Sequence, residues 1–232
     1  MKFFTADIHF CDPKSMRADF RPFKNIKQYD KFIIHDWKSK TKAGDTIYVI
    51  GDLLDCNGPG TTEWERGLEL IKKSKIKADI VLIMGNNEER IVRLFFGGDY
   101  KKFVQTCKDC GIKEVYKTLD VEFAGKKFHL VHQIAEGNKK KFNLFGHTHL
   151  CSGLYHPYGL CLSTDLNHFR LFTEEIILSY IQRKIDYWEP DDNTNYINPF
   201  LKEVDGKIVN VKKQNNKVYR EYEENNKVLK KQ

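Results

Sequence analysis

Side chains that bind metal ions recur in this sequence wherever a short apolar run stops. Asp7 and His9 follow the run at 2–6, Asp52 the run at 46–50, and Asn86 the run at 79–84; His132 comes at the end of 128–131, and His147 and His149 follow 142–145. In open α/β sheets, ligands bind beyond the carboxyl ends of the strands, where the loops converge. Those seven carboxylate, imidazole and amide side chains are enough donors for two ions, and their chemistry suits Mn, Fe, Zn, Ni or Co. A shared carboxylate holds two ions about 3.5–4 Å apart and clamps a phosphate between them. Taken singly the pieces say little, because an Asp-x-His arises by chance and a lone strand histidine is more often a satisfied core residue. Five pieces in chain order, each closing an apolar run, point to one two-metal site.

The elements that must position these donors alternate between short apolar strands and helical stretches, which is the pattern of an α/β fold. Strands are expected at 2–6, 46–50 and 79–84. Between them, Ile26, Tyr29, Phe32, Ile33 and Trp37 recur at helical spacing behind an Asn25 N-cap. Thr62 and Glu65 have the spacing of a capping box before the apolar face of Leu68 and Ile71. A helical region running to Cys110 is broken at Gly97-Gly98. From Val115 to Leu162 strands dominate, at 121–123 and 128–131 around a Gly125 turn, at 142–145, and at 160–162 after Pro157-Tyr-Gly159. A helix opens at Thr173 and runs to about Ile185. Residues 189–200, rich in Asn, Asp and Pro, suggest a linker. The charged tail beyond them suits either a small hairpin, at Asp205-Gly206 or Asn215-Asn216, or a chain without fixed structure. The expected division is a main domain over 1–185 and a charged arm or hairpin extension over 186–232.

The 232 residues suffice for one large core, and a composition 41% hydrophobic and 31% charged excludes wholesale disorder. No run approaches the roughly 20 apolar residues of a membrane span. The apolar stretch at the N-terminus is too short for a signal peptide, so the expected location is cytoplasmic and no membrane partner is expected. Six scattered cysteines give no disulfide framework, and the lone Cys107-x-x-Cys110 on an amphipathic helix is read as structural. The net charge of +7 suits an anionic substrate or nucleic acid and equally a lysine-rich solvated surface.

The series Asp7-x-His9, Gly51-Asp52-x-x-Asp55, Gly85-Asn86-Asn87-Glu88, His132 and Gly146-His147-x-His149 resembles the calcineurin-like metallophosphoesterase superfamily. The stretches 5–10, 21–25 and 163–170 resemble a bacterial and phage subgroup of small phosphoesterases, and the likeness extends to about residue 185. It implies a metallophosphoesterase-type β-sandwich flanked by helices, in α/β/β/α layers. It further implies that Asp7, His9 and His149 hold one divalent ion, that Asn86, His132 and His147 hold a second, and that Asp52 bridges them. Hydroxide held between the ions would attack phosphorus in line, without a covalent intermediate. Mn is the first choice of metal, with Fe, Zn, Ni, Co or Mg as alternatives. Asp52, Asn87 and His147 are the candidate catalytic residues, and Arg21, Arg90 and Asn87 the candidate substrate contacts. Each arginine could instead form a structural ion pair, and Asp55 is read as support for the site or as a cap.

One departure bears on activity. Asn87 stands where the superfamily usually has a histidine that serves the leaving oxygen, and an amide cannot act as a useful acid. Losing a general acid costs about 10²–10⁴ in rate. The expectation is therefore a phosphodiesterase acting on a good leaving group, or one in which His35, His156 or His168 substitutes. The alternatives are a phosphomonoesterase and a metal-binding module for nucleotides or nucleic acid with little turnover. Cys11-Asp12 also departs from the Gly-His usual in the subgroup. Tyr187, Trp188 and Tyr196 could stack on bases if the partner is nucleic acid. The oligomeric state is left open.

Overall fold

The computed structural model describes residues 1–151, 153–187, 203–204 and 207–208. The first half of the chain runs β1 (Lys2–Thr5), α1 (Pro13–Ala18), α2 (Ile26–Lys40), β2 (Thr46–Ile50), α3 (Glu63–Ser74) and β3 (Asp79–Ile83). Then come α4 (Asn86–Phe95), α5 (Tyr100–Asp109), β4 (Ile112–Tyr116), β5 (Leu119–Phe123), β6 (Lys126–Leu130) and β7 (Phe142–Phe145). The last elements are β8 (Tyr155–His156), β9 (Gly159–Cys161), β10 (Phe172–Thr173), α6 (Glu174–Tyr187), β11 (Glu203–Val204) and β12 (Lys207–Ile208).

Two five-stranded sheets stack into a sandwich. The first has the order β10-β1-β2-β3-β4, with β1 to β4 parallel and β10 antiparallel at the edge. Parallel strands covered on both faces read as continuous apolar runs, which is why Thr-Ile-Tyr-Val-Ile and Asp-Ile-Val-Leu-Ile were legible as strands. Successive side chains alternate between faces. Phe3, Ile47, Val49, Ile80 and Leu82 meet the helices, whereas Phe4, Ile50, Val81 and Ile83 meet the second sheet. That sheet has the order β5-β6-β7-β9-β8, with parallel pairing at β6/β7 and β7/β9 and antiparallel pairing at its margins. Phe128 and Leu130 of β6, Phe142 and Leu144 of β7, and Leu160 of β9 fill the space between the sheets, and Ile177 and Ile181 of α6 join them. Two sheets with helices against them match the expected sandwich.

Helix starts follow their local chemistry. Asn25 accepts the Gln28 N–H at 3.0 Å, and Tyr29, Ile33 and Trp37 carry one face of α2 into the core. The Thr62/Glu65 capping box is not made, since the Thr62 side chain accepts no cap bond. Burial of Trp64, Leu68 and Ile71, with acids in the first turn, holds α3 instead. Gly97 and Gly98, both at positive φ, separate α4 from α5 as expected. Sequence reading passed over α1, because six residues with only Met16 buried show no periodicity. Its signal was the Asp12 N-cap followed by proline. Strand β4 begins at Ile112, ahead of the expected Val115, because Ile112 pairs with Ile80.

Among the described residues no helix is long and apolar enough to cross a membrane. In the tail, β11 and β12 pair antiparallel, Val204 opposite Lys207. The linker at 189–200, the turns at Asp205-Gly206 and Asn215-Asn216, the Tyr187 side chain, Trp188 and Tyr196 lie outside the described residues.

Candidate metal centre

Strands β1, β2 and β3 of one sheet and β6 and β7 of the other end at the same rim of the sandwich, and the seven expected donors come off those ends. The loops are held in unusual backbone. Asp7 (φ 58°), His9 (53°), Asp52 (50°), His147 (73°) and His149 (48°) are all left-handed, although none is glycine. Such residues store roughly 1–3 kcal/mol each and persist where the surroundings over-determine them. Here the Asp7, His9 and Phe10 N–H groups bond the carbonyls of Gly51, Asp52 and Leu53, lacing the first loop to the second at 2.9–3.1 Å.

Two glycines allow the loops to meet. A Cβ on Gly51 would lie 2.1 Å from His132 Nδ1, and one on Gly85 would lie 2.2 Å from Asp52 Oδ1. Glu88 secures the same junction. Its buried carboxylate accepts the N–H groups of Asp52, Leu54 and Gly85 at 2.8–2.9 Å.

The donors fall into two groups. Asp7, His9 and His149 converge in one, and Asp52, His132 and His147 in the other, with the ligand atoms of each group within 4.8 Å of one another. In the first, His9 Nδ1 bonds Asp55 at 2.7 Å and His149 Nδ1 bonds Asp165 at 2.9 Å, which turns both Nε2 atoms inward to 3.3 Å from each other. Two ring nitrogens bound to one ion at about 2.0–2.1 Å stand about that far apart. In the second, His132 Nδ1 donates to the Ile50 carbonyl at 2.9 Å, and Nε2 lies 3.0 Å from Asn86 Oδ1. Asp52 stands between the groups: Oδ2 is 3.8 Å from His9 Nε2, and Oδ1 is 3.5 Å from His132 Nε2.

Charge is the second test of fit. Asp7, Asp52, Asp55 and Asp165 are buried carboxylates, and among the described residues the permanent cation buried with them is Arg21. Buried charge is costly unless paired. The histidines respond. Burial alone would lower His132, but its bond to Asp52 overrides this and holds it at about 9; burial is likewise outweighed at His149, which Asp165 and Asp19 raise to about 10. His9 is also raised, its bond to Asp55 outweighing its burial. His147 is lowered, by burial and by neighbouring His132. Divalent cations would supply the charge that these protons now provide, so the residues present fit metal ions.

Comparison with known proteins decides the family: the calcineurin-like phosphoesterase profile matches residues 3–226. The chain belongs to the calcineurin-like phosphoesterase family. An uncharacterized protein of Methanocaldococcus jannaschii is 23% identical over 187 residues, which cover 77% of this chain and 89% of that protein. A crystal structure of a protein of unknown function from Aquifex aeolicus superposes with a TM-score of 0.55 at 18% identity, covering 78% of this chain and 98% of its own. The E. coli phosphoesterase Yfce superposes with a TM-score of 0.37 at 15% identity, covering 70% of this chain and 77% of its own.

In this calcineurin-like phosphoesterase the donor groups floor a cleft of about 360 Å³. Arg90 lines it and donates to the Cys56 carbonyl at 3.1 Å. Arg21 is placed differently from a substrate contact. It is buried, with its guanidinium bonded to both Asp165 oxygens, the Asp7 and Ile8 carbonyls and the Tyr29 hydroxyl at 2.7–2.9 Å. The ion-pair reading is the one its surroundings fit. Asn87 is directed at Asp52, donating through Nδ2 at 2.8 Å and through its backbone N–H at 3.0 Å. His35, His156 and His168 do not line the cleft: His35 and His168 are exposed elsewhere, and His156 packs on Phe145 and Tyr158. Sequence reading assigned no role to Asp165, Asp19, Glu88 or Lys14. Asp165 and Glu88 lay inside quoted motifs, whereas Asp19 and Lys14 gave no signal.

Proposed function

We propose that this chain is a two-metal phosphodiesterase. In this reading Asp7, His9 and His149 hold one divalent ion, Asn86, His132 and His147 hold the other, and Asp52 serves both. The observation that carries it is the placement of Asp52, whose two oxygens face separate histidines of separate donor groups. When bound, such an ion pair neutralises phosphoryl charge and activates water at neutral pH. The carboxylate, imidazole and amide set suits Mn first, with Fe, Zn, Ni, Co or Mg as alternatives.

The chain's own groups do the rest. Asn87 fixes both Asp52 oxygens, directly and through its backbone. Arg90 presents a guanidinium to the cleft, a fork suited to phosphate oxygens. Lys14, exposed on the cleft wall, is the cleft cation able to hand a proton to a leaving oxygen, a task that Asn87 cannot perform. Asp12 and Asp55 also line the wall. These two carboxylates offset the charge of Lys14 and Arg90, so the wall keeps no surplus positive charge for the dianion of a monoester, which supports the diester.

The test is hydrolysis of bis-p-nitrophenyl phosphate against p-nitrophenyl phosphate with Mn, beside Asp52→Asn. The diester is expected to turn over faster, and Asp52→Asn to reduce it on the order of 100-fold or more, the scale of losing one preorganised charge contact. Faster monoester turnover would make the chain a phosphomonoesterase. A second reading rests on Asn87, whose amide is engaged with Asp52: a nucleotide- or nucleic-acid-binding module with little turnover. Silence of both esters with Mn, Ni, Co and Mg would select it.

A further inference from the structure

Helix α1 is a wall with two sides. Lys14, Ser15 and Ala18 face the cleft, whereas Met16, Arg17 and Phe20 face a neighbouring groove of about 520 Å³ that Lys24 also lines. Phe20 is 90% exposed, the most exposed large apolar side chain among the described residues. It is also held at φ 53°, a left-handed conformation that a bulky residue rarely adopts. The turn that holds it is fixed, since the Phe20 N–H bonds the Arg17 carbonyl and the Arg21 N–H bonds Met16. Arg21 in turn is locked to Asp165, the partner of His149. An exposed ring on a strained turn anchored to the metal centre gains nothing from its own fold.

The charges beside it are also without partners. Among the described residues no carboxylate lies within ion-pair distance of Lys14, Arg17 or Lys24, and Asp19, the acid next to Phe20, is already engaged by His149 and Arg21. Free cations along a ridge with an exposed aromatic ring are what a polynucleotide needs: charge to track the backbone and a face on which a base stacks.

We infer that the substrate is a single-stranded nucleic acid, whose chain leaves the cleft over α1 and stacks a base on Phe20 while Arg17 and Lys24 contact its phosphates. This rests on the phosphodiesterase reading and names its substrate class. The test is fluorescence anisotropy of a fluorescein-labelled dT12 on the full chain, with Mn omitted so that no turnover intervenes, at several salt concentrations. Turnover of bis-p-nitrophenyl phosphate with Mn is followed in parallel. Phe20→Ala is expected to weaken dT12 binding about tenfold or more. Arg17→Ala with Lys24→Ala is expected to lower the salt slope by about 1.4, the single-strand value for two phosphates. Both variants should keep small-diester turnover within about twofold, which also reports that they fold.

Equal dT12 binding by the wild-type chain and both variants, or no binding by the wild-type chain at low salt, would overturn the inference while leaving the phosphodiesterase reading to its own assay. Tighter binding of a duplex than of dT12 would also overturn it. So would a dimer on gel filtration that Phe20→Ala dissolves without changing dT12 binding, since the ridge would then be a self-contact.

Discussion

His9 shows how a single candidate ligand is prepared. Its Nδ1 is fixed by Asp55, which also accepts from the Ser15 hydroxyl at 3.0 Å, so the ring has one orientation and Nε2 faces His149 and Asp52. Carboxylates behind metal-binding imidazoles typically change affinity 10–100-fold. Asp55→Ala is therefore expected to weaken Mn binding by about 10–100-fold in isothermal titration calorimetry, and Asp55→Asn, which keeps an acceptor oxygen, to restore part of the loss. Unchanged affinity in Asp55→Ala would show that His9 is oriented by packing alone. At this scale the candidate ligands were legible because each ends an apolar run. Their supporting partners were not. Arg21 and Asp165 meet across 144 residues of sequence, and nothing local to either announces the other. Asp55 was read as support or cap, and its bond to His9 is the form that support takes.

At the scale of elements, the site is a junction of loops that only glycine permits. Gly85 closes β3 and opens α4, and the missing side chain leaves room for Asp52 Oδ1 and the Asp52 N–H, which a Cβ would approach to 2.2 and 2.6 Å. These are a buried carboxylate and backbone, neither of which can swing aside, so Gly85→Ala should displace Asp52 from both donor groups. The expected outcome is loss of diester turnover together with loss of the thermal shift on adding Mn, in a chain whose circular dichroism remains that of a folded α/β protein. A variant that keeps its Mn shift would mean that the β2 and β3 loops can part without disturbing the site. Strands and long helices were readable from periodicity, since their burial is regular. The capping box at Thr62 failed because tertiary burial of Trp64, Leu68 and Ile71 fixes that helix without it. Helix α1 escaped notice for lack of a buried stripe, yet it forms one wall of the cleft.

For the whole molecule, the candidate centre ties stability to pH. His132 at about 9 and His149 at about 10 lie above the ordinary 6.5, held there by Asp52 and by Asp165 with Asp19 against the pull of burial. A group whose folded pKa is raised contributes stability that is complete below about 6.5 and lost as pH rises through its folded value. The metal-free protein should therefore lose stability between pH 6.5 and 10. Asp30, raised by burial to about 6, acts below that window, and buried Glu88, raised to about 7, adds to the loss only at its lower edge. The buried Cys161 thiol, raised by burial to about 11, adds in the same direction only above the ordinary thiol value of 9. Between pH 6.5 and 8.5 the histidines dominate. Divalent ions compete with the same protons, so their binding must strengthen across this interval. The melting temperature of the chelator-treated protein should fall by roughly 5 °C from pH 6.5 to 8.5, while the upward shift given by a fixed Mn concentration grows. Calorimetric scans at four pH values decide it. A metal-free melting temperature that is flat or rises over this range would mean that the imidazoles are neutral and Asp7 and Asp52 are balanced by something other than His132 and His149. A falling one with a growing Mn shift would mean that the apo protein holds the centre open with protons, at the positions where the family resemblance puts metal ions.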